Sequence, residues 1–126
     1  MAGYFGNIEK LTLENGFFRQ VLFTGSHAQL VVMCLKIGEE ISNEKHDTVD
    51  QFFRVEQGEA KFVLENGAEE RVIKNGDVAI VPAGTWHNII NVSQTEELKL
   101  YTIYSPPNHP DGTIHKTKEE AMAAEH

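Results

Sequence analysis

Four side chains suited to metal or proton chemistry fall in two short windows. Glu44, His46 and Gln51 lie within Gly38–Gly58, and His87 lies within Gly76–Asn91. Glu44 and His46 stand two apart, so in an extended segment they point the same way. Gln51 opens a β-type run to Val55, in which Gln51, Phe53 and Val55 share one face and Asp50, Phe52 and Arg54 the other. An acid, an imidazole and an amide converging on an apolar interior are costly unless something pairs them, and a divalent cation would do so. In the second window a strand-like run, Val78–Val81, stops at Pro82, turns through Gly84 and restarts at His87. That histidine can bring a further nitrogen donor to the same point.

Other groups could move protons. His109, Asp111 and His115 in the C-terminal tail could reach a pocket mouth, although Asp111-Gly112 is also ordinary turn chemistry. Tyr101 and Ile103 have one parity, Thr102 and Tyr104 the other, so one of the two tyrosines faces inward. Tyr101 therefore joins Glu44, His109 and His115 as a candidate catalytic group. Trp86, beside His87, either roofs a pocket or packs outside. His27 and His126 read as surface residues.

The elements that position these groups are short strands. Phe17–Phe23, Ala28–Lys36, Gln51–Val55, Ala60–Glu65, Glu69–Ile73, Val78–Val81, His87–Val92 and Leu98–Tyr104 are apolar, β-branched or alternating, with turn residues between them. About eight to ten strands with turns at roughly 8–12-residue intervals predict an all-β barrel or double-sheet jelly roll. Asn66-Gly67 predicts a two-residue hairpin turn. In residues 1–16, Phe5, Ile8, Leu11 and Leu13 predict a short turn or edge strand. After Ser105 the prolines 106, 107 and 110 exclude a central strand. Thr117–Glu120 fits a capping box, and residues 118–126 predict a short C-terminal helix. One domain is expected over 1–126, with the barrel at about 17–104 and the tail and helix at about 105–126.

Composition excludes some partners. A formal charge of −8 over 126 residues argues against nucleic acid or an anionic membrane. No apolar run approaches the ~18–20 residues that span a bilayer. The start of the chain lacks a basic segment followed by an apolar one, so no signal peptide is expected. Cys34, the one cysteine, sits in an apolar run and is expected to pack as a small hydrophobe. A lone thiol fits a reducing, cytoplasmic setting.

With the residues in place, the sequence resembles the cupin superfamily. The second cupin motif, G-x5-P-x-G-x2-H-x3-N, is matched at every fixed position by Gly76, Pro82, Gly84, His87 and Asn91. The first, G-x5-H-x-H-x(3,4)-E-x6-G, is matched by Gly38, His46 and Gly58. Glu44 replaces its first histidine and Gln51 its glutamate. The resemblance implies a double-stranded β-helix with one divalent metal per chain, held by Glu44, His46, Gln51 and His87. Asp50 is the rival to Gln51, because the motif also allows the shorter spacing. Spacing to Gly58 and parity with Phe53 favour Gln51. The carboxylate lost at position 51 reappears at position 44, so the set keeps its charge. Such a set suits Mn, Fe, Ni, Co or Zn. Gly58, Gly76, Gly84 and Asn91 read as structural.

The resemblance also implies a small-molecule substrate and a homodimer, with the N-terminal 20 residues as a plausible exchange segment. A bound metal would act as a Lewis acid, lower the pKa of a bound water or take up O₂. Isomerase or lyase chemistry, dioxygenation, and hydrolysis or decarboxylation all remain open. A label of mannose-6-phosphate-isomerase-like type is common for such proteins, yet the chain has no Arg/Lys- and Gly-rich phosphate cradle. The competing readings are a non-catalytic module that binds metal or a small ligand, and a purely structural barrel.

Overall fold

Each of the eight apolar runs forms a strand. In the computed structural model, which describes residues 2–124, these are β1 (Arg19–Thr24), β2 (Gln29–Leu35), β3 (Asp50–Gln57), β4 (Glu59–Leu64), β5 (Glu69–Lys74), β6 (Val78–Val81), β7 (His87–Asn91) and β8 (Leu98–Ser105). A two-residue β9 (Ile114–His115) follows in the tail. All pairings are antiparallel. They make a six-stranded sheet, β6-β3-β8-β2-β1-β9, and a three-stranded sheet, β5-β4-β7. The fold is the expected double-stranded β-helix.

Register decides what faces the interior. β3 pairs with β8 so that Gln51 opposes Tyr104, Phe53 opposes Thr102 and Val55 opposes Leu100. All six are buried, as period-two alternation requires of an inward face. Phe53, Val55, Leu100, Leu35 and Ile89 are wholly buried, each stabilising the fold by about 1.5–3 kcal/mol relative to exposure. β2 is buried on both faces, from Val31 to Leu35, which explains its unbroken apolar run. Cys34 packs there, and burial, followed by Glu97, pushes its thiol up to about 11. It behaves as the small hydrophobe expected.

Three local expectations need correction. Residues 1–16 hold a helix, α1 (Ile8–Glu14), not a turn or edge strand. Asn7 caps it by accepting from the Lys10 amide at 3.0 Å, and α1 packs against β8, β3 and β2. Ile8, Leu11 and Thr12 have helical spacing, with Thr12 fully buried. The second correction is at Asn66-Gly67. Leu64 pairs with Glu69, so four residues make the connection, with positive φ at Glu65, Asn66 and Gly67. Third, Thr117 caps α2 (Lys118–Ala124) through the Glu120 amide at 3.1 Å, but Glu120 returns its carboxylate to the Lys116 amide at 2.6 Å, one residue before a capping box would place it. The tail prolines do exclude a central strand, since β9 is an edge beside β1. His126 lies outside the described residues. No helix among those residues is long and apolar enough to cross a membrane.

Candidate metal centre

The polar connection before β3 is tied to β7 by two backbone bonds. The Glu44 amide donates to the His87 carbonyl at 2.9 Å, and the His87 amide donates to the Glu44 carbonyl at 2.8 Å. This is one antiparallel bridge, so the two side chains leave the same face. Two residues on, the His46 carbonyl accepts from the Gly84 amide at 2.8 Å. The turn through Pro82 and Gly84 thereby pins His46 beside His87. Glu44 and His46, two apart on an extended segment, do point the same way.

The result is a three-residue group that could hold a metal ion, with its donor atoms all within 4.8 Å of one another. Glu44 Oε1 lies 3.4 Å from His46 Nε2 and 3.4 Å from His87 Nε2. Solvent reaches it past Glu44, whose side chain is 25% exposed, whereas His87 lies beneath at 1%. Burial pushes the Glu44 carboxyl up, but hydrogen bonds and charge from His46 and His87 outweigh it and hold it at about 2. The carboxylate is therefore ionised across the neutral range.

His87 is oriented from behind. Its Nδ1 donates to the Thr85 carbonyl at 3.0 Å, which points Nε2 at Glu44 and His46. His46 Nε2 and His87 Nε2 are buried and accept or donate no hydrogen bond of good geometry. Gln51 is 2% exposed, and its Nε2 donates to Thr102 Oγ1 at 2.9 Å. That fixes the amide orientation and leaves Oε1 buried without a partner. Two imidazole nitrogens, a carboxylate and an amide oxygen, three of them orphaned, fit a divalent transition metal in chemistry and number. Asp50 does not compete, because it is exposed and its Oδ1 accepts from the Ala83 amide at 2.9 Å.

Two of the catalytic candidates move. Tyr101 stands on the opposite face of β8, against Phe52 with ring centroids 6.1 Å apart, so it leaves the site. Tyr104 is the inward tyrosine: its ring is 5.8 Å from that of His46, and burial pushes its phenol well above the usual range. His109 does come in. Its Nε2 is 3.2 Å from the Tyr104 hydroxyl, and burial, with the Arg19 charge, lowers it to about 4. His115 is one step further out, with Nδ1 3.2 Å from Arg19 Nη1. Asp111 is exposed in the turn. Trp86 lies at the surface, with Lys45 Nζ 5.4 Å above its ring. Asn91 is structural, as expected: its Nδ2 serves the carbonyls of Leu35, Lys36 and Glu96 at 3.1–3.2 Å.

Sequence reading missed Tyr104 as the inward tyrosine, and Arg19 altogether. Arg19 shares parity with buried Val21 on β1, which was the available signal.

Fold and site define a class: a double-stranded β-helix with a candidate Glu/His/His metal centre inside its cup. A family model described as a cupin domain matches residues 31–104, and the chain belongs to the cupin family. It is 48% identical over 123 residues to the uncharacterised protein YrkC of Bacillus subtilis, covering 94% of this chain and 66% of the relative. It is 46% identical over 112 residues to the uncharacterised protein L612 of Acanthamoeba polyphaga mimivirus, covering 88% and 70%. The chain thus spans about two thirds of the curated relatives it matches. The crystal structure of BH2720 from Bacillus halodurans superposes with a TM-score of 0.94 at 41% identity, covering 97% of this chain and 95% of that one.

Proposed function

We propose that this chain is a metal-dependent enzyme acting on a small organic molecule, with one divalent transition metal held by Glu44, His46, His87 and Gln51. The observation that carries the reading is the convergence of Glu44, His46 and His87, whose donor atoms lie within 4.8 Å of one another, with both histidine Nε2 atoms buried without a hydrogen bond and 3.4 Å from the ionised Glu44. A buried polar atom without a partner costs about 1–3 kcal/mol, so two imidazole nitrogens facing one carboxylate are best explained by a shared cation, with the unpartnered Gln51 Oε1 as a fourth donor. When bound, the metal supplies Lewis-acid activation of a substrate or water oxygen, or redox chemistry if it is Fe or Mn.

The chain's own residues do the rest. Glu44 balances charge, Thr85 holds the His87 tautomer and Thr102 aims the Gln51 oxygen. Tyr104 and His109 form a hydrogen-bonded pair beside His46. With the phenol protonated and the imidazole neutral at neutral pH, Tyr104 can donate its O–H to a substrate oxygen while His109 Nε2–H donates to the phenol oxygen and orients it. Holding and polarising a substrate oxygen in this way suits isomerase, lyase or decarboxylase chemistry. Dioxygenation is the second reading, supported by the two-histidine, one-carboxylate set.

Metal content of protein prepared without chelator, followed by turnover of a substrate panel with and without chelator, tests the reading. An enzyme loses turnover on chelation and on His87→Ala. A non-catalytic binding module keeps its metal and turns over nothing. A structural barrel carries no metal and is indifferent to His87→Ala beyond stability. A cytoplasmic homodimer belongs to the same proposal. The N-terminal 20 residues remain the proposed exchange segment, and Phe5 within it is 95% exposed. The exposed Ile80 and Val78 on edge strand β6 offer apolar surface for sheet pairing. Sedimentation equilibrium giving one protomer mass would remove the dimer without touching the metal site.

A further inference from the structure

Arg19 is the least expected side chain in the barrel. It stands on β1 and is only 3% exposed. A guanidinium keeps its charge at any physiological pH, and an unpaired buried charge is strongly destabilising. Yet among the described residues Arg19 makes no ion pair with a carboxylate. Its side-chain neighbours are the His115 Nδ1, 3.2 Å from Nη1, the Tyr104 hydroxyl, and the Phe18 ring, 5.4 Å from Cζ. Its Nε is buried with no hydrogen-bond partner. A guanidinium has five N–H donors, and a structural arginine in a core would have them met.

The guanidinium lines a cavity of about 300 Å³ with Asn108, His109, Thr113 and His115. The cavity wall is built. Gln29, fully buried, accepts at Oε1 from the amides of Asn108 and His109 at 3.1 and 3.0 Å. Its Nε2 donates to the His109 carbonyl at 2.8 Å and to Thr24 Oγ1 at 2.9 Å. One buried amide therefore fixes the tail loop opposite Arg19. The cavity also adjoins the metal centre. The Tyr104–His109 pair links the two, since the Tyr104 ring lies 5.8 Å from that of His46 and 5.1 Å from that of His109.

We propose that this cavity is an anion subsite, in which Arg19 receives the carboxylate or phosphate group of a small organic acid. Arg19 offers the forked donor pattern that oxyanions match, and the anion supplies a counter-charge that no described residue gives it. Identifying that acid as the substrate rests on the metal-enzyme reading above. The anion site itself does not. If both hold, the substrate class is an anionic small molecule whose acid end sits at Arg19 and whose reacting end faces Tyr104 and the Glu44 group.

The test is a titration of the full chain with inorganic phosphate and, separately, malonate, against chloride at matched ionic strength, with and without added metal. Calorimetry reads affinity in wild type, Arg19→Met and Arg19→Lys. At least one oxyanion is expected to bind wild type, and Arg19→Met to weaken it about ten- to a hundred-fold, the loss of one or two charge-assisted hydrogen bonds. Binding of phosphate alone assigns a phosphorylated ligand, and of malonate alone a carboxylic acid. Equal affinity in Arg19→Met, or no binding beyond the chloride control, overturns the proposal. If Arg19→Met does not fold, the Arg19 Nε–H resonance in ¹⁵N-labelled wild type decides. It shifts on saturation with the anion if the proposal holds, and a resonance unmoved at saturation overturns it. Anion binding that persists in protein unable to take up metal sinks the metal reading and leaves this one standing.

Discussion

Gln51→Met separates a ligand from a merely structural amide. Methionine keeps the length and approximate volume of glutamine and removes both polar atoms. In metal-free protein the change should be mild. The orphaned Oε1 costs about 1–3 kcal/mol while it lacks a partner, and removing it recovers that amount. Against this, the bond from Nε2 to Thr102 Oγ1 is lost and that fully buried oxygen loses its donor, at about 1–3 kcal/mol. Metal-free Gln51→Met should therefore lie within about 2 kcal/mol of wild type. With metal the variant falls behind. A metal at a hundred times its dissociation constant stabilises the native state by about 2.7 kcal/mol. Loss of one neutral oxygen donor, taken as ten-fold in affinity, removes about 1.4 kcal/mol of that. For a chain of 126 residues this is a fall of roughly 4–7 °C in the metal-induced rise of Tm. Calorimetric melts of both proteins, each with and without metal, give the four numbers required. A variant clearly less stable than wild type without metal, yet with an undiminished metal increment, would refute the reasoning and make Gln51 a packing residue.

Further outcomes follow from the same geometry. The Glu44 carboxyl is depressed from 4.5 to about 2, so its contribution to stability is complete above pH 4.5 and is lost as pH falls toward 2. Glu44→Gln should remove up to about 3 kcal/mol of that acid limb, and acid titration of metal-free protein by circular dichroism should show a flatter profile. Tyr104→Phe deletes the hydroxyl 3.2 Å from His109 Nε2 and should leave metal stoichiometry intact while lowering turnover about 10²–10⁴-fold. Unchanged turnover would assign Tyr104 to packing alone. Gly58 sits at φ +91, and a Cβ there would lie 3.0 Å from the Glu97 carbonyl oxygen and 3.2 Å from Leu98 Cα. Gly58→Ala should cost about 2–4 kcal/mol in a chemical denaturation curve, combining backbone strain with that clash, and a cost under about 1 kcal/mol would show that the β3–β4 junction yields.

Much of this was legible because strands advertise themselves. Gln51, Phe53 and Val55 alternate with outward residues, and that parity alone predicted the buried face of β3. The motif spacing around Gly84 and His87 carried the turn that places one imidazole on another. What stayed hidden depended on pairing rather than on pattern. Tyr101 and Tyr104 are equally good inward candidates until Tyr104 is set opposite Gln51, and no residue of β8 announces that register. α1 was misread because Leu11 and Leu13 alternate like a strand, while the Asn7 cap and the helical spacing of Ile8, Leu11 and Thr12 were the better signal. Arg19 was hidden for another reason. A charged residue in a strand is expected to face solvent, and its burial makes sense only with the cavity and the tail loop folded over it.

The central claim is that one cation joins two distant segments of the chain. Elemental analysis of protein prepared without chelator, combined with anomalous diffraction at the absorption edge of the metal found, tests it in one experiment. The account predicts one transition metal per chain, with anomalous density bonded to Glu44, His46 and His87 and to the Gln51 oxygen. Protein supplied with transition metals that binds none, with those four side chains turned apart around solvent, would contradict it.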